Sequence, residues 1–244
     1  MDEQPRNNLC TWNISRAALS TRDIETVTSV IQDRLTYLSK IRLLDLAACC
    51  KTVEANVTEG IFVEAGCGLG GSSVVIAETK AKDRELKIYD MFGMIPPPTQ
   101  IDGLGVQQRY RQIVTGKAVG IGGDLYYGYE QDLFSKVKST LTRYGMHCAE
   151  NRLSLIKGSL QDVMRIRQPV AFAHVDVDWH DSVLWCLEQV APRLLVGGIM
   201  IIADYYDWSG CRLAVDTFFQ NTGREFKIGR LPGHTCFVQR IGFP

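Results

Sequence analysis

The sequence predicts an α/β fold in which a mainly parallel sheet of seven strands carries helices on both faces. Three features point there. From residue 60 onward, short apolar runs alternate with stretches of helical period, the pattern of successive βα units. A glycine-rich turn, within GIFVEAGCGLGG at residues 60–71, joins the first run to an apolar helix. Three runs end in acids, at Asp90, at Asp176 with Asp178, and at Asp204, where open sheets gather ligands beyond their strand ends.

Residues 1–58 read as a helical extension ahead of the domain that fills 59–244. Ile24, Val27, Ile31, Leu35 and Leu38 fall at helical spacing, and a second helix is expected over about 41–57. These helices would cap the sheet or contact a second copy of the chain, so a homo-oligomer is expected.

The first strand is expected over 61–65. Glycines after it let the backbone bend sharply and expose amides at a helix N-terminus, where the helix dipole favours a ligand. The turn fits two patterns. Gly66, Gly68 and Gly71 satisfy the dinucleotide form GxGxxG, while Glu64, Gly66, Gly68 and Gly70 satisfy ExGxGxG, used by many S-adenosylmethionine (SAM) methyltransferases. Glu64 suits the α-amino group of an amino-acid moiety better than a pyrophosphate, which it would repel. The ligand-binding set read from the turn is Glu64, Gly66, Cys67, Gly68, Gly70 and Ser72, although packing alone also accounts for Cys67. Asp90, about 20 residues past the turn, is placed to accept hydrogen bonds from ribose hydroxyls.

Residues 91–128 are too long for an ordinary connection and contain MIPPP, IDGLG and GIGGDLYYG. A structureless insertion of this size reads as a lid, with Tyr126, Tyr127 and Tyr129 as pocket walls. Further on, Ser159 and Asp162 have capping-box spacing, and Asp162 is also within reach of an adenine amine in a nucleoside reading.

Residues 171–182, AFAHVDVDWHDS, hold the chemistry. Side chains of a strand repeat every second residue, so Asp176 and Asp178 are expected on one face at the strand's end, a place for a cation or a proton. Asp181 and Ser182 read as N-caps of the helix that follows.

Composition narrows the partners. Lysine plus arginine equals aspartate plus glutamate at 27 each, so there is no electrostatic footprint for nucleic acid or an anionic membrane. No apolar run approaches the roughly 18 residues that cross a bilayer, and the polar N-terminus is not a secretory signal. Cysteines 10, 49, 50, 67, 148, 186, 211 and 236 show no zinc-ligand spacing, so reduced thiols and a cytoplasmic location are expected.

The blocks FVEAGCGLGGSS, IYDMFGMIPPP, HVDVDWHDSV and GGIMIIADYYDWSGCRLAVDTFF, in this order and spacing over about residues 60–220, resemble the TylF/MycF family. Those are the macrocin and mycinamicin O-methyltransferases, which act on sugar hydroxyls of natural products. The resemblance implies a Rossmann-like class I methyltransferase fold, SAM as methyl donor, a small-molecule hydroxyl acceptor, and Mg2+ held by strand-end aspartates. By position, Asp176 matches the first Asp of an LDxDxY-like motif, a metal ligand and candidate base, and Asp178 matches the second. Asp204 matches the second Asp of a motif that usually reads DDY. Two departures stand out. Ala203 occupies the first Asp of that pair, removing one metal ligand, and His180 replaces the motif's tyrosine as a candidate proton acceptor.

The expected activity is therefore metal-assisted O-methylation of a sugar or other polyol, with Asp176, Asp178 and His180 as catalytic candidates and Asp176, Asp178 and Asp204 around the metal. A metal-independent SAM methyltransferase, an NAD-linked oxidoreductase on the same turn, and a catalytically silent SAM-binding protein are the alternatives.

Overall fold

The computed structural model describes residues 11–220, 222 and 225–242; Cys10 and the polar N-terminal stretch lie outside them. Its centre is a seven-stranded sheet of β1 (Ile61–Ala65), β2 (Leu86–Asp90), β3 (Leu153–Lys157), β4 (Val170–Val175), β5 (Leu194–Ile202), β6 (Phe226–Arg230) and β7 (Cys236–Arg240). The order across the sheet is β3-β2-β1-β4-β5-β7-β6, parallel up to β5 and antiparallel at β7. Order reverses between β1 and β4, so their carboxyl ends flank the crevice where such sheets bind ligands.

Alternation along the strands sorts two cores. Phe62, Ile88, Phe172 and Ile201 face one layer, while Val63, Tyr89, Ala173 and Ile202 face the other. The helices in the order they are met are α1 (Thr21–Gln32), α2 (Lys40–Asn56), α3 (Gly71–Thr79), α4 (Leu104–Val114), α5 (Leu133–Arg143), α6 (Leu160–Val163), α7 (His180–Val190) and α8 (Ser209–Phe219). The first three share the Phe62 core, and α7 and α8 share the other. Val27, Val30, Leu43, Leu46 and Val53 of α1 and α2 are fully buried there, so the N-terminal helices form one of the layers covering the sheet.

Helix α1 ends earlier than its apolar spacing suggests. Arg34 takes a left-handed backbone, φ 55°, and Leu35 N donates back to Val30 O at 2.9 Å, a closing bond of the kind that ends helices. Leu35 and Leu38 therefore belong to an irregular, bent segment, and Leu35 O accepts the amide of Gly71 at 3.0 Å. That bond holds the segment against the glycine turn.

The lid differs from expectation in being ordered. Between β2 and α5 it contains α4, which starts after Gly103, and short 3-10 turns at Ile121–Gly123 and Tyr127–Tyr129. Val106, Tyr110 and Ile113 repeat at helical spacing, and the first and last are buried. Glycines on either side masked that period in the sequence.

At the acid-bearing stretch, β4 stops at Val175, so Asp176 and Asp178 lie in the loop beyond it rather than on the strand. Asp178 has φ 39°, which breaks the two-residue alternation. The next helix begins at His180 with Trp179 as its cap, so Asp181 sits in the first turn and caps nothing. The amide of His180 instead donates to Asp102 of the lid at 2.9 Å.

Candidate active site

Two adjoining cavities open beyond the carboxyl ends of β1, β2, β4 and β5, sharing Gly66, Tyr127, Asp176, Asp178 and Trp179 as walls. The smaller, about 580 Å³, reaches Asp90, Met91 and Ser159. The larger, about 1090 Å³, is enclosed by the glycine turn, residues 35–38, the lid side chains Arg109 and Tyr126, and a set of acids.

The turn is built around close approach. Gly66 has φ 82°, its amide donates to Tyr89 O at 2.8 Å, and an added Cβ would lie 2.0 Å from Asp176 O. Only glycine lets β1 pass so near the end of β4. The Asp90 carboxylate accepts the amides of Cys67 at 2.7 Å and Gly68 at 3.2 Å on one oxygen, and that of Phe92 at 2.6 Å on the other. Burial pushes its pKa up, and the three amides pull it back. A carboxylate has about four lone-pair sites, so roughly one remains for a ligand hydroxyl.

The other residues expected at the cofactor divide. Cys67, Gly68 and Ser72 line the larger cavity, and Ser159 the smaller. Gly70 is packed behind the turn, where an added Cβ would meet Val137 at 3.0 Å. The Ser159 hydroxyl donates to Asp162 at 2.5 Å, and Asp162 lines neither cavity. Glu64 also lines neither. It shares the Phe62 face of β1 and points under the turn, fully buried, where its carboxylate accepts the Ser73 hydroxyl and lies 3.1 Å from His174 Nδ1. These bonds tie β1, α3 and β4 together beneath the ligand site.

Asp176, Asp178 and Asp204 converge on the larger cavity, joined by Asp207. Burial and then the charge of Asp204 hold Asp176 and Asp178 well above the usual carboxylate range. Asp204 is raised by burial and held back by the Asp178 amide, which donates to its Oδ2 at 3.2 Å. The buried carboxyl groups of Asp176 and Asp204 stand close enough for each to shift the other's titration. Asp178 Oδ1 accepts the indole N–H of Trp208 at 2.9 Å, fixing that carboxylate's aim. His180 lies outside both cavities, its Nδ1 2.7 Å from Asp181.

The sequence reading missed several wall residues. Arg109 reaches the cavity from α4 and lies over the Tyr126 ring, 5.6 Å from its centroid, while Arg42 pairs with Asp207 at 2.7 Å. The period of Val106, Tyr110 and Ile113 was the available clue to Arg109. Trp179 and Trp208, packed edge to face at 5.8 Å, each follow an acid motif closely enough to have been suspected.

Known proteins match this architecture. The family model described as Macrocin-O-methyltransferase (TylF) matches residues 22–240. The chain belongs to the TylF family. It is a SAM-dependent O-methyltransferase, which sets aside the dinucleotide reading of the glycine turn. An 8-demethyl-8-(2,3-dimethoxy-alpha-L-rhamnosyl)-tetracenomycin-C 4'-O-methyltransferase from Streptomyces olivaceus is 27% identical over 203 residues, covering 80% of this chain and 72% of that protein. The solved O-methyltransferase NovP shares the fold with a TM-score of 0.73 at 18% identity, covering 91% of this chain and 97% of NovP. CalS11, a calicheamicin methyltransferase, follows with a TM-score of 0.61 at 15% identity and 98% coverage of each chain.

Within this TylF-family site, Ala203 has a defined place. Val175 pairs with Ile202 and Ala203 N donates to Val175 O at 2.9 Å, so Ala203 lies one rung further on, level with Asp176. A methyl group stands where the resemblance placed a carboxylate. Among the described residues, no group of three or more His, Cys, Asp or Glu side chains is disposed to hold a metal ion. The donor set is all oxygen and crowded with like charge, which suits a hard cation taking one or two carboxylates and completing its shell elsewhere. No helix among the described residues is long and apolar enough to cross a membrane.

Proposed function

We propose that this enzyme methylates a hydroxyl of a sugar or similar polyol in natural-product tailoring, using Asp176, Asp178 and Asp204 to manage the acceptor's proton. The observation that carries the reading is their meeting, from two strand ends, in the cavity that the glycine turn also walls. The Streptomyces relative, named for methylating a rhamnosyl 4' oxygen, supports the substrate class. So does the cavity's mixture of aromatic faces and carboxylates, which matches a sugar's apolar ring faces and hydroxyl edges.

SAM supplies an electrophilic methyl group on a cationic sulfur, so the protein's task is to orient donor and acceptor and to make the hydroxyl nucleophilic. In this scheme the remaining lone pair of the Asp90 carboxylate accepts a hydrogen bond from a ribose hydroxyl, and Gly66, Cys67, Gly68 and Ser72 contact the donor's amino-acid end. Asp178, aimed by Trp208, accepts the acceptor's proton as its oxygen takes the methyl group. The raised pKa suits that work, because a base titrating nearer neutrality is the more effective. The positive φ of Asp178 fits strain retained at a working residue.

Asp176 and Asp204 would hold a Mg2+ ion, which when bound stabilises the developing alkoxide. A metal-free variant of this reading is favoured by Ala203 and by the want of a three-donor group among the described residues. There a proton retained within the Asp176, Asp178 and Asp204 cluster would offset their repulsion in place of the ion.

Mass-spectrometric methyl-transfer assays with SAM and a panel of rhamnosides, other deoxyhexosides and catechols test the reading. Turnover on sugars is expected, with Asp176→Ala and Asp204→Ala abolishing it while S-adenosylhomocysteine binding by calorimetry persists. Full activity in both variants sinks the proposal. Dialysis against chelator separates the variants, since unchanged turnover removes the metal.

A further inference from the structure

We infer that Asp102, in the IDGLG stretch of the lid, is a positioning residue for methyl transfer: its buried carboxylate fastens the lid to the loop that carries Asp176 and Asp178. The side chain is 2% exposed and its two oxygens serve different elements. Oδ2 accepts the amide and hydroxyl of Thr99, at 2.9 and 3.3 Å, which closes the lid loop on itself. Oδ1 accepts the amide of His180 at 2.9 Å, the first residue of α7 and two past Asp178. A second tie runs beside the first. The indole N–H of Trp179 donates to Pro96 O at 2.9 Å, so consecutive residues of the acid loop are both held by the lid.

The surroundings are shaped to keep this carboxylate in place. An added Cβ at Gly210, in the first turn of α8, would lie 2.0 Å from Asp102 Oδ1. The glycine leaves room for one oxygen and no more. Since α8 also follows the Asp204–Trp208 turn, the carboxylate sits where the lid, the acid loop and the approach to α8 meet. The lid segment that continues from Asp102 into α4 delivers Arg109 and Ile113 to the cavity. One buried anion thus sets both the wall that faces the acceptor and the loop that bears the acids, and it reaches the chemistry only through them.

Hydrogen exchange by mass spectrometry on the full chain tests this, with Asp102→Ala and Asp102→Asn compared with the parent and S-adenosylhomocysteine affinity measured by calorimetry. In Asp102→Ala, peptides covering 97–104 and 176–183 are expected to exchange at least about tenfold faster together, an opening easier by ~1.4 kcal/mol. Peptides covering 61–75 and the S-adenosylhomocysteine affinity stay within about twofold of the parent. Asp102→Asn, whose amide oxygen can still accept the His180 amide while its NH2 group faces the Thr99 amide, restores most of the protection at 176–183 and less at 97–104. Unchanged exchange at 176–183, faster exchange spread over the whole sheet, or an Asn variant no better than Ala at 176–183 overturns the inference. If Asp102→Ala does not fold, Gly210→Ala presses a methyl group on the same oxygen; the paired loosening supports the latch, and parent-like exchange in that folded variant overturns it. The activity arm rests on the function proposed above: on an accepted sugar, kcat falls about tenfold in Asp102→Ala and recovers in Asp102→Asn, and unchanged kcat despite loosened loops overturns the positioning role. A parent inactive on every acceptor contradicts the proposed function, while the exchange result still decides the latch.

Discussion

The backbone amide of Asp178 donates to Asp204 Oδ2 at 3.2 Å, which ties the loop after β4 to the end of β5 and leaves the buried carboxyl groups of Asp176 and Asp204 within reach of each other's charge. Like charges buried this close oppose each other's ionisation, so the pair favours a retained proton or a cation between them.

Stability should fall as pH rises. Asp176, Asp178 and Asp204 titrate above their ordinary value of 3.8. The folded state therefore binds more protons than the unfolded chain, and stability is lost as pH rises from about 4 through the raised values. Without added metal, the melting temperature should fall across that window. Asp204→Asn removes one of the like charges and should melt roughly 2–6 °C higher than the parent at pH 8, for a gain of ~1–2 kcal/mol. At pH 4 the two should coincide. Adding Mg2+ to the parent at pH 8 should recover the loss if the acids hold the ion; thermal scans with and without chelator check both points.

Two neighbouring glycines should answer differently to alanine. Gly66→Ala drives a methyl group onto Asp176 O as well as straining a left-handed backbone, so a loss of ~3 kcal/mol or more and no measurable S-adenosylhomocysteine binding are expected. Gly68 has φ 51° but open space around its added Cβ. Gly68→Ala should cost only about 1–2 kcal/mol in the empty protein while weakening ligand binding at the turn. Denaturant melts and calorimetry on both variants settle the contrast.

Asp90 holds the turn as well as facing the cavity. Asp90→Ala leaves the buried amides of Cys67 and Phe92 without an acceptor, and ~3 kcal/mol of stability should go with them. Asp90→Asn keeps one acceptor and should lose less stability. Both should bind S-adenosylhomocysteine at least about tenfold more weakly, the worth of one charge-assisted hydrogen bond to a ribose hydroxyl.

Arg34 sits in the left-handed region at the end of α1, where glycine is the easier residue. Its ion pair with Asp124 spans 3.2 Å between exposed side chains. Such pairs contribute about 0–1 kcal/mol, against about 1–2 kcal/mol for the backbone strain. Arg34→Gly should therefore be neutral or slightly stabilising in thermal melts, and a clear loss would mean that the pair anchors the lid.

Much of this was legible in the chain. Strand-period runs, the glycine turn and the acids at three strand ends all arise from neighbours close in sequence, and they gave the sheet, its helices and the ligand-bearing edge. The early stop of α1 was hidden because Leu35 and Leu38 keep a helical spacing while serving an irregular segment. Against the motif it resembles, Ala203 stands where a carboxylate was expected, and the strand register puts it beside Asp176.

The sequence by itself determined the order of elements, the turn that bends around a ligand, and the acid-bearing ends, because side-chain period and backbone freedom are local properties. Only the tertiary structure decided where those groups point. Glu64 turns into the core toward Ser73 and His174, while the lid folds a helix that brings Arg109 to the acids and ties Asp102 to His180. Those directions depend on hydrogen bonds and packing between segments far apart in the chain, which no local pattern encodes.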